Sequence, residues 1–283
     1  MRAADAVAAA GGARRHWRWL RWAVGLLLGY PAAVLCGMEP ALPFDWAINL
    51  GDVPLDPALC APADGVRRLV VLQHGLWRTP LSLGRLERAL RAHGYEVLDP
   101  GYPSRACTLQ EASALLAATI EARLAHDAAG TQAAPLQIAF VGHSMGGLVV
   151  QEYLRRPDAK TPFACVYVAV PHRGAMLCDL RKNWWPFPLL LGDRAALQLS
   201  PGDAFHRQAI PHVAQSGAIV GDVGDGNDAI PGHDDGTVAV DEATLSGAAD
   251  VVRVPLGHTA IAGSALTVRQ VLAFLRHGHF ARE

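Results

Sequence analysis

The feature that most constrains the fold of this chain is a glycine-flanked turn around Ser144. An apolar run that ends at Val141 leads into Gly142-His143-Ser144-Met145-Gly146-Gly147, and an apolar helix-like segment, 149–154, follows. Continuous apolar runs are typical of strands buried on both faces of a sheet. The glycines at 142 and 146 leave room for a tight strand-to-helix turn with a strained serine at its tip. The pattern predicts a serine hydroxyl beside a helix N-terminus, where negative charge is stabilised.

Strand-like and helix-like segments alternate through the rest of the chain. Further apolar runs predict strands at Leu69–Leu72, Tyr95–Leu98, Val166–Val170, Ile219–Val220 and Val251–Val254. Helices are predicted from Thr79, from the Thr108–Glu111 capping box, and from Ala265 to His277. Such alternation is typical of an α/β fold, here a doubly wound, mostly parallel sheet flanked by helices. A small cap or lid segment is expected after the strand that ends near residue 170.

The composition divides the chain into three parts. Residues 67–283 carry the alternating pattern and are expected to form the main domain, with a lid-like insertion at about 172–212. Residues 41–66 are rich in proline and aspartate and are interpreted as a linker that wraps onto this domain. In residues 1–40, arginines and tryptophans between 14 and 22 precede an uncharged apolar run from Ala23 to Met38.

A basic flank before an apolar run is typical of a secretory signal or a signal anchor. The run is short for a membrane span, which needs about 20 residues, unless the preceding tryptophans extend it at the interface. We therefore expect a membrane-anchored or exported protein on the cell-envelope or periplasmic side. An uncleaved anchor, with membrane contact through this segment, is slightly favoured over a cleaved signal. The alternative is a buried N-terminal helix.

Charge and cysteine content argue against several partners and cofactors. The net charge of −1 leaves no basic surplus for a nucleic-acid partner, so none is expected. Five cysteines occur, but no CxxC pair is present, which argues against a zinc site. In an exported protein Cys60, Cys107, Cys165 and Cys178 could form one or two disulfides, although Cys165 lies in an apolar run typical of a buried thiol. No metal and no other cofactor is predicted.

A second motif, Gln73-His74-Gly75-Leu76, directly follows the first predicted strand. A reaction at a serine needs hydrogen-bond donors for the oxyanion of a tetrahedral intermediate. The backbone N–H groups of Leu76 and Met145 are the candidates for this oxyanion hole, and Gly75 allows the backbone to approach closely. The alternative is an ordinary strand-to-helix turn.

A serine nucleophile also needs a base and an acid, which are expected in the order serine, acid, histidine. His258 follows the last predicted strand and is the preferred base among the 12 histidines. Asp235 precedes a glycine and is the preferred acid, with Asp234 a close rival and Asp241 a distant one. The aspartates between 222 and 235 could instead form a polar loop or bind calcium, although no EF-hand spacing is present.

These motifs resemble the α/β-hydrolase superfamily, and within it bacterial lipases and esterases, which are similar to inositol-deacylase-like hydrolases of membranes. The matching segments are His74–Leu76, Gly142–Gly147, Val170–Gly174, Asp235–Val238 and Gly257-His258. The resemblance implies an α/β-hydrolase fold, a catalytic triad of Ser144, Asp235 and His258, an ester or lipid substrate and no cofactor. The N-terminal segment resembles nothing specific.

Substrate-binding residues are expected around the serine and in the lid-like insertion. We assign His74, Gly75 and His143 beside the motifs, and Trp184 and Trp185 at the start of an apolar stretch that runs to residue 191. Such a stretch can bind an acyl chain or touch a membrane. Alternatively, it is a loop that packs on a small core of its own.

The combined motifs predict hydrolysis of carboxylic esters through an acyl-enzyme on Ser144. An acyltransferase or a thioesterase would use the same three residues, because the triad does not define the acceptor. A hypothesis from another class is a non-catalytic binding module tethered by the N-terminal segment. The complete set of serine, acid, histidine and oxyanion donors favours the enzyme.

Overall fold

The fold is built around one six-stranded parallel sheet. A computed structural model describes residues 49, 51–130, 134–183, 192 and 194–282. The strands are β1 (Arg67–Gln73), β2 (Glu96–Leu98), β3 (Leu136–His143), β4 (Ala164–Val168), β5 (Ser216–Gly221) and β6 (Asp250–Val254). They lie in the order β2-β1-β3-β4-β5-β6, and every neighbouring pair is parallel. The predicted α/β fold is confirmed.

Helices carry the chain back between the parallel strands. Those described are α1 (Gly84–Ala92), α2 (Leu109–Ala129), α3 (Met145–Leu154), α4 (Met176–Arg181), α5 (Ala195–Gln198), α6 (Val240–Ala243) and α7 (Ala265–His277). Short 3₁₀ turns lie at Pro57–Leu59, Pro80–Leu83, Ala204–Arg207, Val213–Gln215 and Ala260–Gly263.

The sheet separates two apolar layers, and alternate residues of a strand enter opposite layers. In β1, Leu69 and Val71 pack in the layer that holds α2 and α3, whereas Val70 and Leu72 pack in the layer that holds α1 and α7. Both faces of the strand are therefore covered. This is the physical reason why the strands appear as continuous apolar runs in the sequence.

The candidate functional residues follow the carboxyl ends of the strands. Ser144 comes directly after β3, the His74–Leu76 segment directly after β1, and Asp235 and His258 lie in the connections that follow β5 and β6. Carboxyl ends of parallel strands meet at one edge of a sheet, and ligands of open α/β sheets bind in the crevice outside that edge. The topology thus places distant parts of the chain at one site.

Helix ends follow the sequence signals with one exception. Thr108 and Glu111 form the predicted capping box of α2, and Ser264 caps α7. The helix predicted from Thr79 is different, because residues 80–83 form a 3₁₀ turn and the Thr79 side chain makes no capping hydrogen bond. Ser82 donates to the Thr79 carbonyl from both its N–H and its hydroxyl, which closes this tighter turn before α1 begins.

Residues 51–66 lie against the end of α1. The N–H of Asp56 donates to Nε2 of His93 over 3.1 Å, and the N–H of Ala61 donates to the His93 carbonyl over 2.9 Å. Leu59 is buried in the same layer as α1. The segment 1–40, expected to be a signal or signal anchor, lies outside the described residues. Within the described part of the chain, no helix is long and apolar enough to cross a membrane.

The four cysteines that the structure describes, Cys60, Cys107, Cys165 and Cys178, are free thiols. The disulfides considered from the sequence are therefore not formed among these four. Cys165 is fully buried in β4, as its apolar surroundings predicted. Burial raises the pKa of the Cys165 thiol to about 12, which makes it an unreactive core residue.

Candidate active site

Ser144 occupies the sharp turn between β3 and α3. Its φ of 53° and ψ of −130° lie in a region that L-residues rarely adopt. The turn is fixed by a hydrogen bond from the Ser144 N–H to the Val168 carbonyl over 2.9 Å. Glycine is needed at 146, where a Cβ would lie 2.2 Å from the Gln73 carbonyl oxygen. The close approach of β1 and the turn holds the hydroxyl at the sheet edge.

Ser144, His258 and Asp235 form a continuous hydrogen-bonded chain. His258 Nε2 lies 2.9 Å from Ser144 Oγ, and His258 Nδ1 lies 2.7 Å from Asp235 Oδ2. The Asp235 carboxylate accepts from Nδ1–H, which leaves Nε2 as the acceptor for the serine hydroxyl. The His258 N–H also donates to the Asp235 carbonyl over 2.8 Å, so backbone and side chain hold the two residues together.

The two adjacent aspartates, 234 and 235, face different partners. Asp235 Oδ1 accepts from the backbone N–H of Thr237 and of Val238, at 3.0 and 2.7 Å, while Oδ2 faces His258. Asp234 instead accepts from the N–H groups of Gly236 and Asn227 and holds their loop together. Both carboxylates are buried, but only Asp235 meets the imidazole. Asp241, the distant rival, is exposed on α6.

Two backbone N–H groups flank the serine. The Met145 N–H is at the first position of α3, where no intrahelical acceptor exists. Leu76 lies on the loop after β1, and Gly75 brings this loop against the serine turn. A Cβ on Gly75 would lie 3.0 Å from the Ser144 Cβ. Leu76 lines the cavity beside Ser144, and Met145 directly follows the serine in the chain.

His143 lies beside His258 and supports its loop. It is buried, its ring lies 5.1 Å from the His258 ring, and its Nε2–H donates to the His258 carbonyl over 3.0 Å. Burial, followed by repulsion from His258, lowers the pKa of His143 well below its usual range. A neutral imidazole at this position holds the His258 loop without adding a charge beside it.

His74 does not reach the cavity in front of Ser144, although the sequence placed it among the substrate-binding residues. Its ring is buried and stacks on Tyr102 with centroids 4.5 Å apart. Its Nδ1–H donates to the Gly75 carbonyl over 3.0 Å, and burial lowers the pKa of its imidazole to about 4. His74 thus stiffens the loop that carries Gly75 and Leu76.

A cavity of about 440 Å³ opens in front of Ser144. Its wall combines residues of the serine turn, the loop after β1, the segment after β4 and the two loops that carry the acid and the histidine. The lining residues are Gly75, Leu76, Trp77, Arg78, His143, Ser144, Pro171, Ala175, Leu177, Cys178, Arg181, Leu199, Asn227, Gly236, Thr237, Val238, His258 and Thr259. Gly75 and His143, which the sequence analysis assigned to substrate binding, both line the cavity.

The segment between β4 and β5, predicted as lid-like, contributes α4 and Leu199 to the cavity wall. Trp184 and Trp185, predicted to bind substrate, lie outside the described residues. Sequence reasoning missed Arg78 and Arg181, which both line the cavity. A signal existed for Arg78, because it lies in the same loop as Gly75 and Leu76. No signal pointed to Arg181.

Among the described residues, no group of three or more histidines, cysteines or carboxylates could hold a metal ion. Two of the aspartates considered for calcium, Asp222 and Asp234, have other partners. Asp222 accepts from the Gly224 N–H over 3.0 Å and from His233 over 2.9 Å, and Asp234 caps the loop described above.

A parallel α/β sheet with a serine at the strand-to-helix turn defines the α/β-hydrolase class of protein. The sequence pattern of the alpha/beta hydrolase family matches residues 69–280, and the chain belongs to this family. No curated protein matches the sequence.

Solved structures of hydrolases share the fold. The mature lipase BlEst2 of Bacillus licheniformis is 19% identical, with a TM-score of 0.58 over 80% of this chain and 95% of that one. The metagenomic carboxyl esterase MGS0156 is 20% identical, with a TM-score of 0.50 over 75% and 69%. The type II thioesterase BorB from the borrelidin biosynthetic cluster is 15% identical, with a TM-score of 0.50 over 79% and 95%. At these identities the similarity shows the fold alone.

Proposed function

We propose that the protein is a serine hydrolase that cleaves carboxylic esters. The observation that supports this most directly is the hydrogen-bonded chain from Ser144 through His258 to Asp235, at 2.9 and 2.7 Å. A serine hydroxyl is a weak nucleophile until an adjacent base can take its proton. His258 is oriented for that role by the buried carboxylate behind it.

In the proposed reaction, Ser144 Oγ attacks the ester carbonyl carbon while His258 Nε2 takes the hydroxyl proton. The tetrahedral intermediate collapses to an acyl-enzyme as the imidazolium returns the proton to the leaving alcohol. Water then attacks the acyl-enzyme through the same base, which releases the carboxylic acid and restores Ser144. Asp235 keeps the required tautomer of His258 and stabilises the imidazolium.

The oxyanion of the intermediate is assigned to the N–H groups of Leu76 and Met145. The α3 N-terminus adds a favourable field for negative charge at the same point. A preorganised donor of this kind accelerates acyl transfer by roughly 10² to 10³ in kcat.

An ester or lipid substrate agrees with the cavity. Apolar side chains such as Leu76, Leu199 and Val238 line a volume of about 440 Å³ beside the serine. Pockets that bind small molecules are mostly apolar, with a few polar groups that set orientation. Two of the structurally similar proteins are a lipase and a carboxyl esterase, which agrees with this substrate class.

The test is hydrolysis of a nitrophenyl ester series from short to long acyl chains by wild type and Ser144→Ala. We expect kcat/KM to fall by roughly a thousandfold or more, because the nucleophile is lost. The matched control is Ser246→Ala, which removes a hydroxyl from an exposed serine that does not line the cavity. The chain-length optimum then separates an esterase from a lipase.

Wild-type rates in Ser144→Ala would contradict the proposal. So would a folded wild-type protein that cleaves no ester of the series and does not react with a fluorophosphonate probe. That second result would instead favour the non-catalytic binding module.

We infer that residues 1–40 direct the protein to a membrane, on the basis of the arginine-rich flank and the apolar run from Ala23 to Met38. The expected result is that the full chain sediments with membranes and resists alkaline extraction, whereas a chain that begins at residue 41 stays in the supernatant. Recovery of the full chain in the supernatant with an intact N-terminus would contradict both an anchor and an exported, cleaved form.

A further inference from the structure

Two segments that lie outside the sheet contribute to the wall of the cavity in front of Ser144. The segment after β4 supplies Leu177 and Cys178 of α4, and the segment after β5 supplies Val238. None of these three residues belongs to a strand, so sheet pairing does not fix one segment against the other. The shape of the wall at this point therefore depends on contacts between the two segments themselves.

Glu242, a half-buried residue of α6, joins the two segments by three hydrogen bonds. Its Oε1 accepts from the Met176 N–H over 2.7 Å, and its Oε2 accepts from the Ala239 N–H over 2.9 Å. Its backbone carbonyl accepts from the His172 N–H over 2.9 Å. Met176 and Ala239 are immediate chain neighbours of wall residues, one in each segment. Each oxygen of the carboxylate thus holds the backbone one residue away from a side chain that lines the cavity.

The contact with Met176 also caps α4. Met176 is the first residue of this helix, so its N–H has no acceptor within the helix. The N-cap residue is Ala175, whose side chain has no oxygen that could accept the bond. The acceptor is instead the carboxylate of Glu242, which lies 66 residues further along the chain. The helix end is therefore tied to a distant segment and not to its own.

The ionised carboxylate of Glu242 is the chemical form that suits both contacts. Each of its oxygens accepts a hydrogen bond, and neither carries a proton that would face an N–H group. Burial raises the pKa of Glu242, and the hydrogen bonds from the Ala239 and Met176 N–H groups oppose that rise. An amide at the same position accepts on one oxygen only and turns its NH₂ group toward the second donor.

We propose that Glu242 is a positioning residue that fixes the part of the cavity wall formed by α4 and by the loop around Val238, and thereby sets the acyl lengths that the enzyme prefers. The proposal rests on the ester hydrolysis proposed above and concerns the specificity of the same site. The reacting groups are affected little, because Asp235 keeps its two backbone donors and its contact with His258.

The first measurement is kcat and KM of wild type and Glu242→Ala on the nitrophenyl ester series. For the best ester of the wild type we expect KM to rise by roughly fivefold, the effect of a lost helix cap, while kcat changes by less than about twofold. The preference for this ester over its neighbours in length falls toward one, because a looser wall makes fewer contacts with each methylene. Glu242→Gln keeps one accepting oxygen, so its KM is expected between those of wild type and Glu242→Ala.

A second pair of variants removes the donor instead of the acceptor. Proline has no N–H and is favoured at the first position of a helix, and Ala175 already has the extended backbone that a residue before proline requires. Met176→Pro therefore deletes the contact with Glu242 without breaking α4, and Met176→Ala controls for the loss of the side chain. We expect a higher KM in Met176→Pro than in Met176→Ala when Glu242 is present, and equal values of KM when each is combined with Glu242→Ala.

Two further variants serve as matched controls. Asp241→Asn neutralises the adjacent, exposed carboxylate on α6 and controls for the change of charge. Ser264→Ala removes the cap of α7 and controls for lost stability, because Ser264 does not line the cavity. Both variants are expected to keep the KM and the length preference of wild type, although Ser264→Ala lowers the melting temperature.

Unchanged KM and length preference in Glu242→Ala, or equal values of KM in Met176→Pro and Met176→Ala, overturn this inference alone. The same change of KM in either control variant also overturns it, because the effect then comes from charge or stability in general. If Glu242→Ala does not fold, the two variants at position 176 still test the proposal. Absence of Ser144-dependent turnover of every ester in wild type overturns the proposed function and this inference with it.

Discussion

At the scale of single residues, the carboxylate of Asp235 connects the backbone to the chemistry of the site. One oxygen accepts from the Thr237 and Val238 N–H groups, and the other accepts from His258 Nδ1–H. The backbone donors fix the rotation of the carboxylate, and the carboxylate fixes the rotation and tautomer of the imidazole. This chain of constraints depends on a group that accepts hydrogen bonds on both oxygens.

Asp235→Asn is therefore expected to reduce kcat by roughly 10³ to 10⁴, because an amide nitrogen facing Nδ1 favours the wrong histidine tautomer. Asp234→Asn is the matched control, since it changes the adjacent carboxylate that holds only its own loop. We expect it to lower the thermal midpoint with a much smaller loss of kcat. The measurement is kcat on a nitrophenyl ester beside the melting temperature of each variant. A larger loss of kcat in Asp234→Asn than in Asp235→Asn would reassign the acid.

At the scale of elements, apolar runs in the sequence predict which residues are buried better than they predict which residues pair in the sheet. The strand predicted at Val166–Val170 is observed at Ala164–Val168. Ala169 and Val170 are fully buried and apolar, so the pattern includes them, but Ala169 has a φ of 49° and leaves the strand. The observed strand begins two residues earlier than predicted, at Ala164, and alanine is a residue type that is depleted in strands.

The parts of the site that lie in local sequence motifs could be predicted from the sequence. The turn around Ser144 and the order of motifs led to His258, and the structure brings the two within hydrogen-bond distance. The choice between Asp234 and Asp235 could not be made from sequence, because both are buried and both accept backbone N–H bonds. The direction in which each of the two carboxylates points depends on the conformation of the loop that precedes them.

The two arginines that line the cavity, Arg78 and Arg181, could not be predicted to lie together for a different reason. Arg78 and Arg181 are far apart in the chain and lie on a loop and a short helix. Their convergence requires the path of the segment between β4 and β5, and local patterns do not determine that path.

At the scale of the whole molecule, different buried ionisable groups have opposite effects on how the stability of the fold changes with pH. Burial lowers the pKa of His74 to about 4 and that of His172 to about 3, from 6.5. The unfolded chain then binds protons that the folded chain does not, so these groups destabilise the fold as pH falls below about 6.5. Asp99 acts in the opposite direction. Burial, followed by repulsion from Glu87, raises its pKa from 3.8 to about 8.

The folded chain therefore holds a proton on Asp99 that the unfolded chain releases above its ordinary pKa of 3.8. Asp99 costs stability progressively as pH rises from about 4 to about 8, and neither of its carboxyl oxygens has a hydrogen-bond partner among the described residues. Asp99→Asn removes this cost and is expected to stabilise the protein at pH 8 by on the order of 2 kcal/mol, a few degrees in melting temperature.

The same substitution should change the melting temperature much less at pH 5, because the carboxyl of Asp99 is then protonated in the folded protein and only slightly penalised. Melting curves of wild type and Asp99→Asn at both pH values measure the difference. Asp52→Asn is the matched control, because it removes a carboxylate whose side chain is 84% exposed. An equal gain at pH 5 and pH 8 would assign the effect to packing, and a loss at pH 8 would show that the ionised Asp99 is stabilised in the fold by a partner.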